Sequence, residues 1–305
     1  MYIYTGYHIF VDLTEVLMDI SKFCVRNGKN FELLSIKCDD SLGYTKEDRP
    51  KVERMLAENT VKIAELQDKL YAQNTNSLLM ILQATDAAGK DGTIKHVTSG
   101  LNPRGCHVRS FKAPSSEELD HDYLWRINRH LPERGTIGIF NRSHYEEVLV
   151  AKIHDLPSKQ QLPKDSVNTA VWKNRYRQIN DYEKYLDENG IIIIKIFLHL
   201  SKDEQKKRIL ARIDDPAKNW KFCAGDLNER EYWDAYQKAF EDMIRNTATS
   251  YAPWYVVPAD RKWFARTVVS EILLETLEKI DPEYPYLPED QQKLLSHYRE
   301  ILEAE

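Results

Sequence analysis

The chain has 305 residues, 42% of them hydrophobic and 30% charged, with a formal net charge of -5. That is the make-up of an ordinary globular protein with room for one large domain or two small ones, and the acidic balance argues against a general nucleic-acid binder. No apolar run approaches the roughly 20 residues that span a bilayer; the opening MYIYTGYHIFVDLTEVLMDI lacks a basic leader and carries Asp12 and Glu15, so neither a signal peptide nor a membrane partner is expected.

Residues 1 to about 45 carry no clean period: YIYTGYHIFVDL suits a strand or a packed arm, and NGKN at 27–30 reads as a turn. From 46 to 73 the spacing of Val52, Met55, Leu56, Val61, Ile63, Leu66 and Leu70 is loosely helical. SLLMILQA (77–84) follows, a continuous apolar run that suits a strand buried on both faces. Further strands are expected at 107–112, 136–141, 191–200 and 253–259. Helices are expected at 92–101, 116–130, 167–189, 202–213, 229–247 and 262–280, with a C-terminal one at 289–302. Strands alternating with helices predict an α/β fold: three layers, α/β/α, around a mostly parallel sheet of about five strands. Cys24, Cys38, Cys106 and Cys223 are scattered, with no CxxC, and are expected to be free thiols in a reducing cytoplasm.

Chemistry concentrates in three places. In QATDAAGKDGTIKH (83–96), small residues between a strand and a helix let the main-chain N–H groups of Ala87, Ala88, Gly89 and Gly92 approach phosphate oxygens. Lys90 adds a full positive charge. Asp86 and Asp91 would repel phosphate unless a cation lay between, which points to Mg²⁺; Asp91 also suits helix capping. In the second patch, GTIGIFNRSHYEEVLV (135–150), a strand delivers Asn141, Arg142, Glu146 and Glu147 to the carboxyl edge of the sheet, where open α/β folds bind ligands. Arg142 suits a bidentate grip on a phosphoryl group. Upstream, Arg126 and Arg129 are three apart on one helix face and, with Arg134, could line an anion path. In the third, EQKKRILARIDDPAKNWKF (204–222), Arg208 and Arg212 face together one turn apart, as in a cationic helical lid.

QATDAAGKDGTIKHV, NPRGCHVRSFKAPSSEELDHDYLWR, LPERGTIGIFNRSHYEEVLV, KNWKF and YAPWYVVPADRKWFAR together resemble the polyphosphate kinase 2 family over about residues 31–282. The FNRSHYEE version looks like the branch that phosphorylates both nucleoside mono- and diphosphates, other branches having Asp at position 141 and Asn at 146. Ala84 departs from the glycine common in the family, and residues 1–30 do not resemble the family opening and are treated as an extension before a single P-loop kinase-like domain, 31–305, with its lid at about 204–228. The resemblance implies reversible phosphoryl transfer from inorganic polyphosphate to AMP, ADP or guanine counterparts, with Mg²⁺, in a homodimer or homotetramer. It implies that Asp86 positions the accepting nucleotide and the metal, with Asp91 as a second metal contact, and that Lys90 holds the transferred group. Arg126, Arg129, Arg142, Arg208 and Arg212 would neutralise the reactants. Lys112, Asn141 and Glu146 would meet the nucleotide, Glu146 tuning which is accepted. An ATP-dependent nucleotide kinase and a non-catalytic nucleotide-binding protein are the competing readings.

Overall fold

The structure is a computed structural model that describes residues 18–158, 160 and 162–305. Six strands form one sheet: β1 (Cys24–Val25), β2 (Ser77–Ala84), β3 (Cys106–Ser110), β4 (Ile137–Asn141), β5 (Ile191–His199) and β6 (Trp254–Pro258). Their order is β1-β6-β5-β2-β4-β3. All neighbours run parallel except the β1–β6 pair. The five predicted strands are present within two residues of their expected bounds. The sixth, β1, is only two residues long, too short to leave a period in the sequence. The N-terminal reading falls partly on residues outside those described. From residue 18 onward Met18, Ile20 and Phe23 are buried, and Phe23 meets the Phe264 ring edge-on at 6.2 Å.

The helices are α1 (Arg49–Gln73), α2 (Lys90–Val97), α3 (Ser116–Leu119), α4 (Trp125–Asn128), α5 (Val150–Ile153), α6 (Val171–Glu188), α7 (Lys202–Asp214), α8 (Gly225–Glu231), α9 (Trp233–Thr247), α10 (Lys262–Ile280) and α11 (Glu289–Glu303). One face of the sheet carries α1, α2 and α10; α6 and α9 lie together on the other. Helices on both faces explain why Leu78 to Leu82 are all buried: alternate side chains enter opposite apolar layers. The single helix expected over 116–130 is instead two short ones. A capping box at Ser115 and Glu118 starts α3, and the Asp122 carboxylate then accepts the Leu124 N–H (2.9 Å), turning the chain before α4.

The strand order reverses on either side of β2, which lies between β4 and β5. A crevice therefore opens at the carboxyl ends of these strands. The parallel register sets Leu82 beside Asn141 and Ser110 beside Asn141, so the segments leaving β2, β3 and β4 emerge together.

Candidate active site

Between Ala84 and Lys90 the chain turns tightly from β2 into α2. Gly89 has φ +104°, a left-handed conformation open to glycine, and Ala87 adopts φ +63°. Lys90, the first residue of α2, is buried and folds back to donate to the carbonyls of Ala84 (3.0 Å) and Thr85 (3.4 Å). Burial, then the neighbouring Arg142 cation, lowers its pKa to about 8 against the pull of Asp86, Glu146 and Asp91. The loop is fastened from outside. Gln205 donates to the Asp86 carbonyl (2.9 Å). The Arg208 guanidinium donates to the carbonyls of Ala87 (3.2 Å) and Ala88 (2.8 Å) on one side and of Ala259 (2.6 Å) and Asp260 (3.1 Å) on the other. Its Nε meets Glu204 at 2.9 Å. Arg208, read from sequence as part of a charged lid, is thus a buried brace whose planar set of donors matches converging carbonyls.

Where β4 ends, Arg142 takes φ +64°, costing on the order of 1 kcal/mol for a residue with a side chain. Its N–H is tied to the Leu82 carbonyl (3.0 Å), which holds that bend. The side chain spans two acids: Asp86 at 2.5 Å and Glu146 at 3.6 Å. Glu146 also accepts from Gln83 (3.1 Å); burial raises its pKa while Arg142 and Lys90 hold it back. Asn141 donates to Asp91 (2.7 Å). The two motifs therefore interlock through the Arg142–Asp86 and Asn141–Asp91 contacts, 56 and 50 residues apart in sequence.

Two clefts meet here. One, of about 820 Å³, runs over the loop from Asp86 to Thr93. Ten cations border it (Lys90, Lys112, Arg142, Lys207, Arg208, Arg212, Lys218, Lys221, Lys262 and Arg266) against three carboxylates, Asp86, Asp91 and Glu204. The other, of about 620 Å³, is walled mainly by Phe111, Pro114, Leu119, Tyr123, Ile127, Val150 and Leu156, with Lys112, Arg126, Arg142, Glu146 and Glu147 as polar groups. Arg142, Phe111 and Lys112 border both. Arg126 reaches this second cleft, held by Glu118 (3.2 Å) and the Lys112 carbonyl (2.7 Å). Arg129 borders neither; it stacks on Trp125 (4.6 Å) and pairs with Glu117 (3.6 Å). Arg212 borders the cationic cleft while bound to Asp226 (3.0 Å).

Sequence reasoning missed Lys262, the first residue of α10, and Arg266, one turn further on, which border the same cleft as the loop. Burial, followed by the repulsion of Arg208, lowers the pKa of Lys262; burial also lowers that of Arg266. Their signal was available: cations four apart, directly after a strand whose carboxyl end borders the crevice.

A doubly wound sheet with a phosphate-type loop at its switch point, beside a cationic cleft and an apolar one, defines a phosphotransferase of the P-loop kinase type. The chain matches the family described as Polyphosphate kinase 2 (PPK2) over residues 46–285 and belongs to that family. It is 49% identical to the ADP-polyphosphate phosphotransferase of Rhodopseudomonas palustris, covering 84% of this chain and 89% of that one. It is 44% identical to the AMP/ADP-polyphosphate phosphotransferase of Meiothermus ruber, covering 87% and 96%. The crystal structure of Polyphosphate Kinase 2 from Arthrobacter aurescens TC1 superposes with a TM-score of 0.81 at 40% identity, over 90% of this chain and 95% of that one.

Proposed function

We propose that this protein transfers the terminal phosphoryl group of inorganic polyphosphate to AMP and ADP, with guanine nucleotides as further acceptors, and runs in both directions. The observation that carries this is the junction of the two clefts at Arg142. A polyanion with no base suits a cleft bordered by ten cations against three carboxylates, and a nucleotide suits the cleft walled mainly by apolar side chains. The names of the Rhodopseudomonas and Meiothermus relatives support the same donor and acceptors.

In this reading an oxygen of the acceptor's terminal phosphate attacks the end phosphorus of the polyphosphate, in line with the bridging oxygen that leaves. One P–O bond forms, one breaks, and the donor is shortened by one phosphate. The attacking oxygen is already anionic at neutral pH, so no general base is required. Catalysis rests on alignment and on charge placed where the transition state spreads it. Lys90 and the main-chain N–H groups of residues 87–92 hold the transferred group. Arg142, in reach of both clefts, neutralises donor and acceptor together. Asp86, fixed by Arg142, orients the acceptor, while Arg126, Lys112, Asn141 and Glu146 contact the nucleotide. Arg208 and Arg212 contribute charge from behind the loop and from the lid; Arg129 would join only after leaving its stack on Trp125.

Mg²⁺ fits the donor set, because Asp86 and Asp91 offer the one or two carboxylates that this ion combines with phosphate oxygens. Among the described residues no group of three or more His, Cys, Asp or Glu side chains could cage a metal by itself, so the ion would be shared with substrate. When bound, it would neutralise phosphate oxygens. The protein is proposed to act in the cytoplasm as a homodimer or homotetramer. The test is to supply polyphosphate with AMP or ADP, without ATP, and to identify the nucleotide formed. No ADP or ATP product rejects the reading and favours an ATP-dependent kinase, and turnover unaffected by EDTA removes Mg²⁺ from it.

A further inference from the structure

Beneath the site lies a group of buried charges for which the reaction has no use. Lys195 of β5 and Glu183 of α6 are both fully buried, 2.6 Å apart. The Lys195 ammonium also donates to the Thr247 carbonyl (2.7 Å) and meets the Tyr145 hydroxyl (3.0 Å). That hydroxyl in turn donates to the other Glu183 oxygen (2.6 Å), and His144 stands 3.5 Å from the same oxygen. Burial works against charge on Glu183, yet Lys195 and His144 hold its carboxyl below the usual range. A buried ion pair is a poor source of stability compared with apolar packing, so its presence calls for a role in specificity of structure.

Its placement supplies one. Tyr145 belongs to the short 3-10 turn His144–Val148 that follows Arg142, and Glu146 is the next residue. Along this turn the side chains divide. Arg142 and Glu146 face the loop and border both the apolar cleft and each other, whereas Tyr145 goes into the core against Trp254, ring centroids 4.8 Å apart. A second tie from the same helix grips the turn's far end: Arg175, eight residues before Glu183 on α6, binds the Glu147 carboxylate and lies 3.3 Å from its carbonyl.

We infer that the Tyr145–Glu183–Lys195 network is a positioning device: it fixes the turn after β4 so that Arg142 holds its left-handed bend and reaches Asp86. A hydroxyl that both donates to a carboxylate and receives an ammonium has one satisfied orientation, and an apolar residue in its place would leave the turn free to slide on Trp254. Tyr145, Glu183 and Lys195 touch no substrate in this arrangement; they act through Arg142. The inference deepens the function proposed above and rests on it for its kinetic readout alone.

The test is Tyr145→Phe, which keeps the ring and deletes the shared hydroxyl. In the crystal structure of the variant, Arg142 is expected to lose its contact with Asp86; an unchanged Arg142–Asp86 contact overturns the inference whatever the activity. With polyphosphate and ADP, kcat is expected to fall about tenfold while the KM for polyphosphate stays within about threefold, because nine of the ten cations bordering that cleft are untouched. A kcat within twofold of wild type, or a loss that only tracks the unfolded fraction seen by circular dichroism, overturns it too. If Tyr145→Phe does not fold, Glu183→Gln, which retains an acceptor and the shape of the side chain, is read by the same structural and kinetic criteria. Wild-type protein without turnover would reject the proposed reaction and leave the crystallographic result to decide the network.

Discussion

Replacing Lys90 with methionine is expected to abolish turnover and to make the fold more stable. The ammonium is buried, and its pKa falls from the usual 10.5 to about 8. At about 1.4 kcal/mol per pH unit, keeping it charged at neutral pH costs the folded state about 3 kcal/mol. The bonds to the Ala84 and Thr85 carbonyls return on the order of 1 kcal/mol, so a net gain of about 2 kcal/mol is expected for Lys90→Met. The sign with pH follows from the lowered pKa. The folded protein gives up this proton before the unfolded chain does, so the penalty is complete below about pH 8 and fades as the pH rises towards 10.5. Urea unfolding of both proteins in EDTA, at about pH 7 and about pH 10, measures this directly. A Lys90→Met variant less stable than wild type at neutral pH would refute the reasoning, as would a stability difference that ignores pH. Turnover within about a hundredfold of wild type would separately remove Lys90 from the reaction.

Asp86→Ala is expected to lower turnover at least about a hundredfold, since it frees Arg142 from its closest partner and takes away a carboxylate from the proposed metal; steady-state kinetics at saturating Mg²⁺ checks it. Glu146→Asn should change the ratio of AMP to ADP use, because Glu146 is the acid that borders the apolar cleft beside Arg142; an unaltered ratio of kcat/KM values would dismiss that role. Arg266→Ala and Lys262→Ala should raise the KM for polyphosphate and flatten its dependence on salt, with kcat for short chains little changed, which assays at two ionic strengths would reveal.

The inner strands were readable because they are largely buried on both faces: a run such as Ile191 to His199 has almost no solvent side to interrupt it, whereas the edge strand β3 is mostly exposed. The loop was readable because its order, strand then small residues then lysine then helix, is itself the mechanism of holding phosphate. What the sequence hid depends on contacts between distant segments. Nothing local marks Arg208 as buried; only the arrival of carbonyls from residues 87, 88, 259 and 260 at one point makes burial affordable for a guanidinium. Tyr145 and Glu183 are likewise 38 residues apart, and an isolated lysine within IIIIKIFLHL gives no sign of the partner it meets. The helix expected over 116–130 failed for a local reason, the Asp122 side chain capturing a main-chain N–H, which periodicity of apolar residues does not register.

The brace formed by Arg208 has a thermodynamic corollary. With the carbonyls of Ala87 and Ala88 fastened to the exit of β6, the curvature of the loop is settled during folding rather than at the moment a ligand arrives. A visiting anion then meets amides already aimed and forfeits little chain freedom on docking, so selection among polyanions falls to spacing and charge instead of to the capacity of the loop to mould itself around whatever enters.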